Sequence, residues 1–128
     1  MSEGWDRSQR HRRRPRNLYA LIFPNKRLYI GQSVDPKRRF QQHRGTWLTN
    51  DFVMVVLSCQ VTTEAEAADW EHAYRQAAAW WGWGVYSMPP GFLIRNVGRQ
   101  MNAKRRQMAW KLWWRFLGQK RRGVRYGG

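Results

Sequence analysis

Five side chains in the middle of the sequence are of kinds that do chemistry at a phosphate. Arg39 and His43 stand four residues apart, so on a helix both project from one face. A guanidinium placed there grips two phosphate oxygens at once. Glu71 falls within the stripe Ala67, Trp70, Tyr74, Ala77, Trp81, where a carboxylate needs a partner; a metal ion or Arg39 would satisfy it. One carboxylate with waters and a substrate phosphate suits Mg²⁺ better than a dedicated cage does. Two phenols, Tyr19 and Tyr29, sit in short apolar runs. Hydrolysis of a phosphodiester calls for an activated water, cationic support for the crowded phosphate and relief of charge on the leaving oxygen, and this set holds a candidate for each.

Every member also has a plainer reading. Tyr19 and Tyr29 are good strand residues in their own right. Arg39 is a solvated helix charge by default, as Lys37 and Arg38 are read to be. A histidine at a helix end favours the terminal dipole whatever its function. Glu71 is equally an ordinary ion-pair partner. A tyrosine of ordinary pKa, about 10, is a poor base at neutral pH unless a neighbouring cation lowers it.

The elements that would position these groups follow from pattern. Leu18–Phe23 and Leu28–Gly31 are short apolar runs around Pro24-Asn25 and read as a β-hairpin. For both tyrosines to share a sheet face the connection must have odd parity, for example a three-residue loop at 25–27; an even loop puts them on opposite faces. Asp35-Pro36 is a helix start, and the helix runs from Pro36 to about His43, closing near Gly45. Val-rich Phe52–Ser58 reads as a buried strand. Thr63 with Glu66 has capping-box spacing and opens the helix that carries Glu71, which ends at Gly82 and Gly84. Met88–Gly91 reads as a loop, Phe92–Val97 as a short or edge strand, and Met101–Leu117 as a basic, Trp-bearing helix. The order β, β, α, β, α, β with a basic helix appended is an α/β or α+β domain.

Charge supplies the partner class. The 128 residues carry 24 Lys and Arg against eight Asp and Glu, a net charge of +16. Residues 18–98 are nearly neutral, whereas 99–128 hold ten bases and no acid. Such self-repulsion is unfavourable without a polyanion or an anionic surface nearby, and nucleic acid is the commonest such partner because phosphate neutralisation releases counterions. The single Cys59 makes no internal disulfide, no Cys/His spacing resembles a zinc site, and Cys59 reads as a small core residue. No apolar stretch reaches a membrane span and the Arg-rich start lacks a signal peptide's apolar segment, so the expected location is cytoplasmic, with no membrane association.

Leu18-Tyr19 followed by Tyr29-Ile30-Gly31-Gln32-Ser33 resembles the two half-motifs that name the GIY-YIG endonucleases. Asp35-Pro36-Lys37-Arg38-Arg39-Phe40-Gln41-Gln42-His43 resembles the family's next signature, Glu71 three residues before Tyr74 its acidic position, and Asn96 before Val97-Gly98 its late asparagine. The likeness spans roughly residues 17–98. It departs at Asn17-Leu18-Tyr19, which lacks the family's first glycine, and at the Trp-rich segment 80–86, which has no counterpart.

The resemblance implies a small domain with a central three-stranded, mainly antiparallel sheet flanked by helices. It implies metal-dependent DNA cleavage with Mg²⁺ or Mn²⁺ held by Glu71. Tyr19 would be the base supported by Tyr29, Arg39 would bind phosphate, and His43 and Asn96 would complete the site, with Ile30 and Gly31 as motif backbone. Asn96 has the alternative role of closing a turn.

Residues 1–16 read as a flexible basic arm, 17–98 as the nuclease-like domain and 99–128 as a basic Trp-rich tail. Arg12, Arg13 and Arg14 from the arm, and Lys104, Arg105, Arg106, Lys111, Arg115, Lys120, Arg121 and Arg122 from the tail, are the candidate nucleic-acid contacts, with aromatic rings between them to stack. No zinc finger or helix-turn-helix is present, so target choice would come from DNA shape, a homodimer or a partner protein. Two rival readings are a catalytically inactive nucleic-acid-binding module of the same fold and a basic amphipathic protein of the membrane surface.

Overall fold

The computed structural model describes residues 12–47, 49–88, 91–118 and 125–126. Strand β1 (Arg14–Phe23) and strand β2 (Arg27–Ser33) form the expected hairpin. They join through Pro24-Asn25-Lys26, with Phe23 paired to Arg27 and with Asn25 and Lys26 at φ 63° and 58°. Asparagine is among the few non-glycine residues that tolerate this left-handed geometry.

Helix α1 (Pro36–Arg44) starts as its sequence dictates: the Asp35 carboxylate accepts from the Arg38 N–H at 3.1 Å and Pro36 occupies the first turn. Strand β3 (Val53–Thr62) then pairs with β1. Helix α2 (Glu64–Trp80) opens on a complete capping box, the Thr63 N–H donating to Glu66 and the Glu66 N–H to Thr63 Oγ1.

The domain is mixed α and β, but its sheet is wider than three strands. Among the described residues it has six, ordered β5-β4-β2-β1-β3-β6. The antiparallel trio β2-β1-β3 is its centre. Strand β4 (Gly84–Met88) adds parallel to β2, placing Val85 beside Leu28; it runs from the end of the Trp-rich segment into the expected loop at Met88, where no strand was read. Two β-prone residues, Val85 and Tyr86, are too few to show periodicity, and only the α2 crossover brings them to the edge of β2. Strand β5 (Phe92–Leu93) is much shorter than the expected Phe92–Val97, because the chain turns into a 3-10 turn at Val97–Gln100. Strand β6 (Arg125–Tyr126) pairs with β3.

Alternation along β1 splits the core in two. Leu18 and Ala20, with Leu28 and Ile30 of β2, face α2. Tyr19, Leu21 and Phe23 face the other way and pack with Phe40, Trp47, Phe52 and Met54.

Helix α3 (Ala103–Gly118) is no appended tail. Ala109 and Leu112 are buried in the same cluster as Ala73, Ala77 and Ala78 of α2, and small side chains on both helices allow the close approach. Asn102 caps α3, accepting from the Arg105 N–H at 2.9 Å. Two other expectations are corrected. Strand β1 begins at Arg14, paired to Thr62, so the arm read over 1–16 ends inside the sheet. Cys59 is exposed, because β3 there runs past the aromatic cluster, whose β3 member is Met54. No helix among the described residues is long and apolar enough to cross a membrane.

Candidate active site

The parity condition is met. The turn holds three residues, at 24–26 instead of 25–27, so Tyr19 opposes Gly31, Tyr29 opposes Leu21, and both phenols lie on the α1 face. Their rings are 6.3 Å apart between centroids. Gly31 has a specific job in this pairing: a Cβ there would stand 2.5 Å from Tyr19 Oη and 2.6 Å from its Cζ, so only glycine lets the phenol lie across β2.

His43 projects from α1 into the same cluster, its Nε2 2.7 Å from Tyr19 Oη. Its other nitrogen, Nδ1, accepts from the Trp47 indole N–H at 2.9 Å. Trp47 belongs to the residues that pattern did not single out; a lone tryptophan after a helix end carries no periodic signal.

Exposure separates the two tyrosines. Tyr19 is 1% exposed, whereas Tyr29 is half-buried. Burial pushes both phenols above their ordinary pKa; the Arg39 charge opposes this at both, and Glu71 adds to it at both. The expectation that Tyr19 is the base therefore meets an enclosed hydroxyl already bonded to His43, and Tyr29 is the phenol with access to solvent.

His43 is held down to about 4 by burial, with repulsion from Arg39 adding to it. His72, on α2, is likewise held down to about 4, by burial and then by Arg75 and Arg105, against Asp69. Both histidines take protons more readily in the unfolded chain, near the ordinary value of 6.5. Their contribution to stability is therefore full above about pH 6.5 and is lost as the pH falls through 4. Denaturant titrations are expected to show a lower midpoint at pH 5 than at pH 7.

On the far side of Gln32 lies a cleft of about 540 Å³, lined by Arg14, Arg16, Gln32, Ser33, Val34 and Arg39 and by Glu64, Ala65, Ala68 and Glu71 of α2. Three guanidinium groups thus meet two carboxylates where β2 runs into α1. Arg39 is exposed, and among the described residues its side chain makes no hydrogen bond or ion pair. Arg16 is 8% exposed, with Nε donating to the Thr62 carbonyl at 3.2 Å. It was missed because it lay in the segment read as an arm, where alternation with Leu18 and Ala20 is the signal that would have found it.

Glu71 is held from two sides. Gln32 Nε2 donates to Oε2 at 2.8 Å, and Arg75 Nη2 lies 3.5 Å from Oε1. Burial nonetheless raises its pKa, outweighing the pull of Gln32 and Arg75. Among the described residues no group of three or more His, Cys, Asp or Glu could hold a metal. A Mg²⁺ site needs less than that. Each carboxylate oxygen keeps a further lone pair, and Gln32 Oε1 is a buried oxygen with no hydrogen-bond partner. Two hard oxygens, with waters and a phosphate, fit such an ion.

The remaining expected residues lie elsewhere. Asn96 does not line the cleft; its Oδ1 accepts from the Gly98 N–H at 3.1 Å and caps the 3-10 turn. Arg105 is 18% exposed, donates to Asp69 at 2.8 Å and also to the Gln100 carbonyl, so it fastens α3 to α2 and is not a free phosphate contact. Lys104 joins Asp69 at 3.3 Å, and Arg13 pairs with Glu66 at 2.9 Å. Arg14 lines the cleft. Arg12, Arg106 and Lys111 are exposed. Arg115 is in α3, and Lys120, Arg121 and Arg122 lie outside the described residues. No family model, no curated protein and no solved structure matches the chain.

Proposed function

We propose that this chain is a metal-dependent endonuclease that hydrolyses DNA phosphodiester bonds, built on the GIY-YIG plan that its motifs resemble. The observation that carries this reading is the cleft that Arg39 and Glu71 both line, with the charges of both also acting on the Tyr19 and Tyr29 phenols. Residues far apart in sequence converge there, and Arg39 is left without a side-chain partner among the described residues, as a phosphate ligand should be.

In this reading a backbone phosphate enters between Arg39 on α1 and Arg14 and Arg16 on β1. Tyr29, the more accessible phenol, orients the attacking water and, once ionised, takes its proton as the water oxygen bonds to phosphorus. The ester oxygen leaves with the bonding pair. Glu71 and Gln32 would hold a Mg²⁺ or Mn²⁺ ion, whose charge would neutralise the departing oxygen. Exposed Arg12, Arg106 and Lys111 add sequence-independent attraction, and specificity comes from DNA shape or from a homodimer or other protein partner.

The test is incubation of supercoiled plasmid with the full chain, with Mg²⁺ and with EDTA, beside Arg39→Ala. Metal-dependent nicking that falls on the order of 10²–10³-fold in the variant is expected. Tight, salt-sensitive binding without cutting would instead support an inactive binding module of the same fold.

A further inference from the structure

The bonds around His43 have a direction. An indole N–H donates and never accepts, so the 2.9 Å contact from Trp47 Nε1 obliges His43 Nδ1 to be an acceptor without a proton. A neutral imidazole carries its single proton on the other nitrogen, so Nε2–H points at Tyr19 Oη, 2.7 Å away. Tyr19 is thereby an acceptor from His43, which leaves its own proton for the second tyrosine. The Tyr29 ring is the neighbouring phenol, 6.3 Å from that of Tyr19 between centroids.

We infer that Trp47 is a positioning residue that fixes the His43 tautomer and so orders a one-way chain of hydrogen bonds, Trp47 to His43 to Tyr19, which leaves the Tyr19 proton free beside the accessible phenol of Tyr29. The inference rests on the reading of Tyr29 as the water-facing group and goes beyond it. The groups facing the imidazole are Tyr19 and Tyr29 from the hairpin, Trp47 from the segment after α1 and Arg39 from its own helix. Turned around, with the proton on Nδ1, the ring would accept the Tyr19 O–H at Nε2, and that proton would no longer be free for a Tyr29 oxyanion. Trp47 is 7% exposed and packs against Tyr29 and Tyr86 at centroid distances of 5.5 and 5.2 Å. The indole is therefore held in place by the same rings that it serves.

Long-range proton–nitrogen correlation NMR on the isotope-labelled full chain reads the tautomer directly. His43 is expected to carry its proton on Nε2 in the unaltered protein. In Trp47→Phe, which keeps an aromatic ring but removes the donor, an Nδ1–H population is expected, with thermal unfolding recorded to confirm that the variant folds. A proton on Nδ1 in the unaltered chain, or an unchanged tautomer in Trp47→Phe, would overturn the inference. Plasmid cleavage by Trp47→Phe is expected to fall roughly 10-fold, a fraction of what a positioned proton-transfer group contributes. That factor should vanish when Tyr19→Phe has already cut the chain of bonds. If Trp47→Phe costs the same factor in both backgrounds, the indole acts by packing alone. Absence of cleavage by the unaltered chain would overturn the nuclease reading only, and the tautomer measurement would still decide the role of Trp47.

Discussion

Glu71→Gln is expected to lower Mg²⁺-supported plasmid cleavage on the order of 10²–10³-fold, the scale of removing one electrostatic stabiliser from an active site. The substitution keeps the size of the side chain and leaves an oxygen to accept from Gln32 or Arg75, so the fold should survive. What it removes is the negative charge that a divalent ion needs. The same residue sets a pH dependence. Burial raises the Glu71 pKa, protons and metal compete for the carboxylate, and the Mg²⁺ concentration for half-maximal cleavage should increase as the pH falls below neutral. Titrating Mg²⁺ at several pH values against both proteins measures both effects. Cleavage by Glu71→Gln at the unaltered rate would remove Glu71 from the site.

The second large effect is expected at Gly31. An alanine methyl there would collide with a phenol that is 1% exposed, 2.5 Å from Oη and 2.6 Å from Cζ. The ring has nowhere to withdraw, since His43 lies against its hydroxyl and Tyr29 beside its face. Overpacking of this kind costs about 1–3 kcal/mol. Because the strained atoms belong to the hydrogen-bonded chain, cleavage should fall together with stability. Gly45→Ala is the control: a Cβ there meets only the Gln42 carbonyl, at an ordinary 3.6 Å. Urea unfolding of the two variants should show a lowered midpoint for Gly31→Ala alone. Equal midpoints would mean that Tyr19 is free to move.

Local signals in the sequence marked the elements well where one residue type has one job. Asp35-Pro36 and Thr63 with Glu66 start their helices as capping chemistry requires, and the hairpin was legible from its two apolar runs. That Arg39 and Glu71 line one cleft is marked by no local signal, because nothing local brings α1 and α2 together; the residues alone offered Arg39 only as one of two ways to satisfy Glu71. Three features were out of reach for physical reasons. Strand β4 exists through its parallel partner, not through its own five residues. The docking of α3 depends on an alanine flank of α2, visible only once Ala73 and Ala78 are found buried beside Ala109. The solvent access that separates Tyr29 from Tyr19 is a property of the packed cluster. Asn96 had two readings, and its side chain makes the turn-closing contact.

The turn Pro24-Asn25-Lys26 sets a rule about length that no single substitution reveals. Lengthening it by one residue would carry Tyr29 to the α2 side and bring Leu28 and Ile30 among the aromatic rings, inverting a whole strand for the sake of one amide. Lengthening it by two would restore every facing. Insertions and deletions in this hairpin should therefore be tolerated in pairs and rejected singly, so that the turn can vary in sequence far more freely than it can vary in parity.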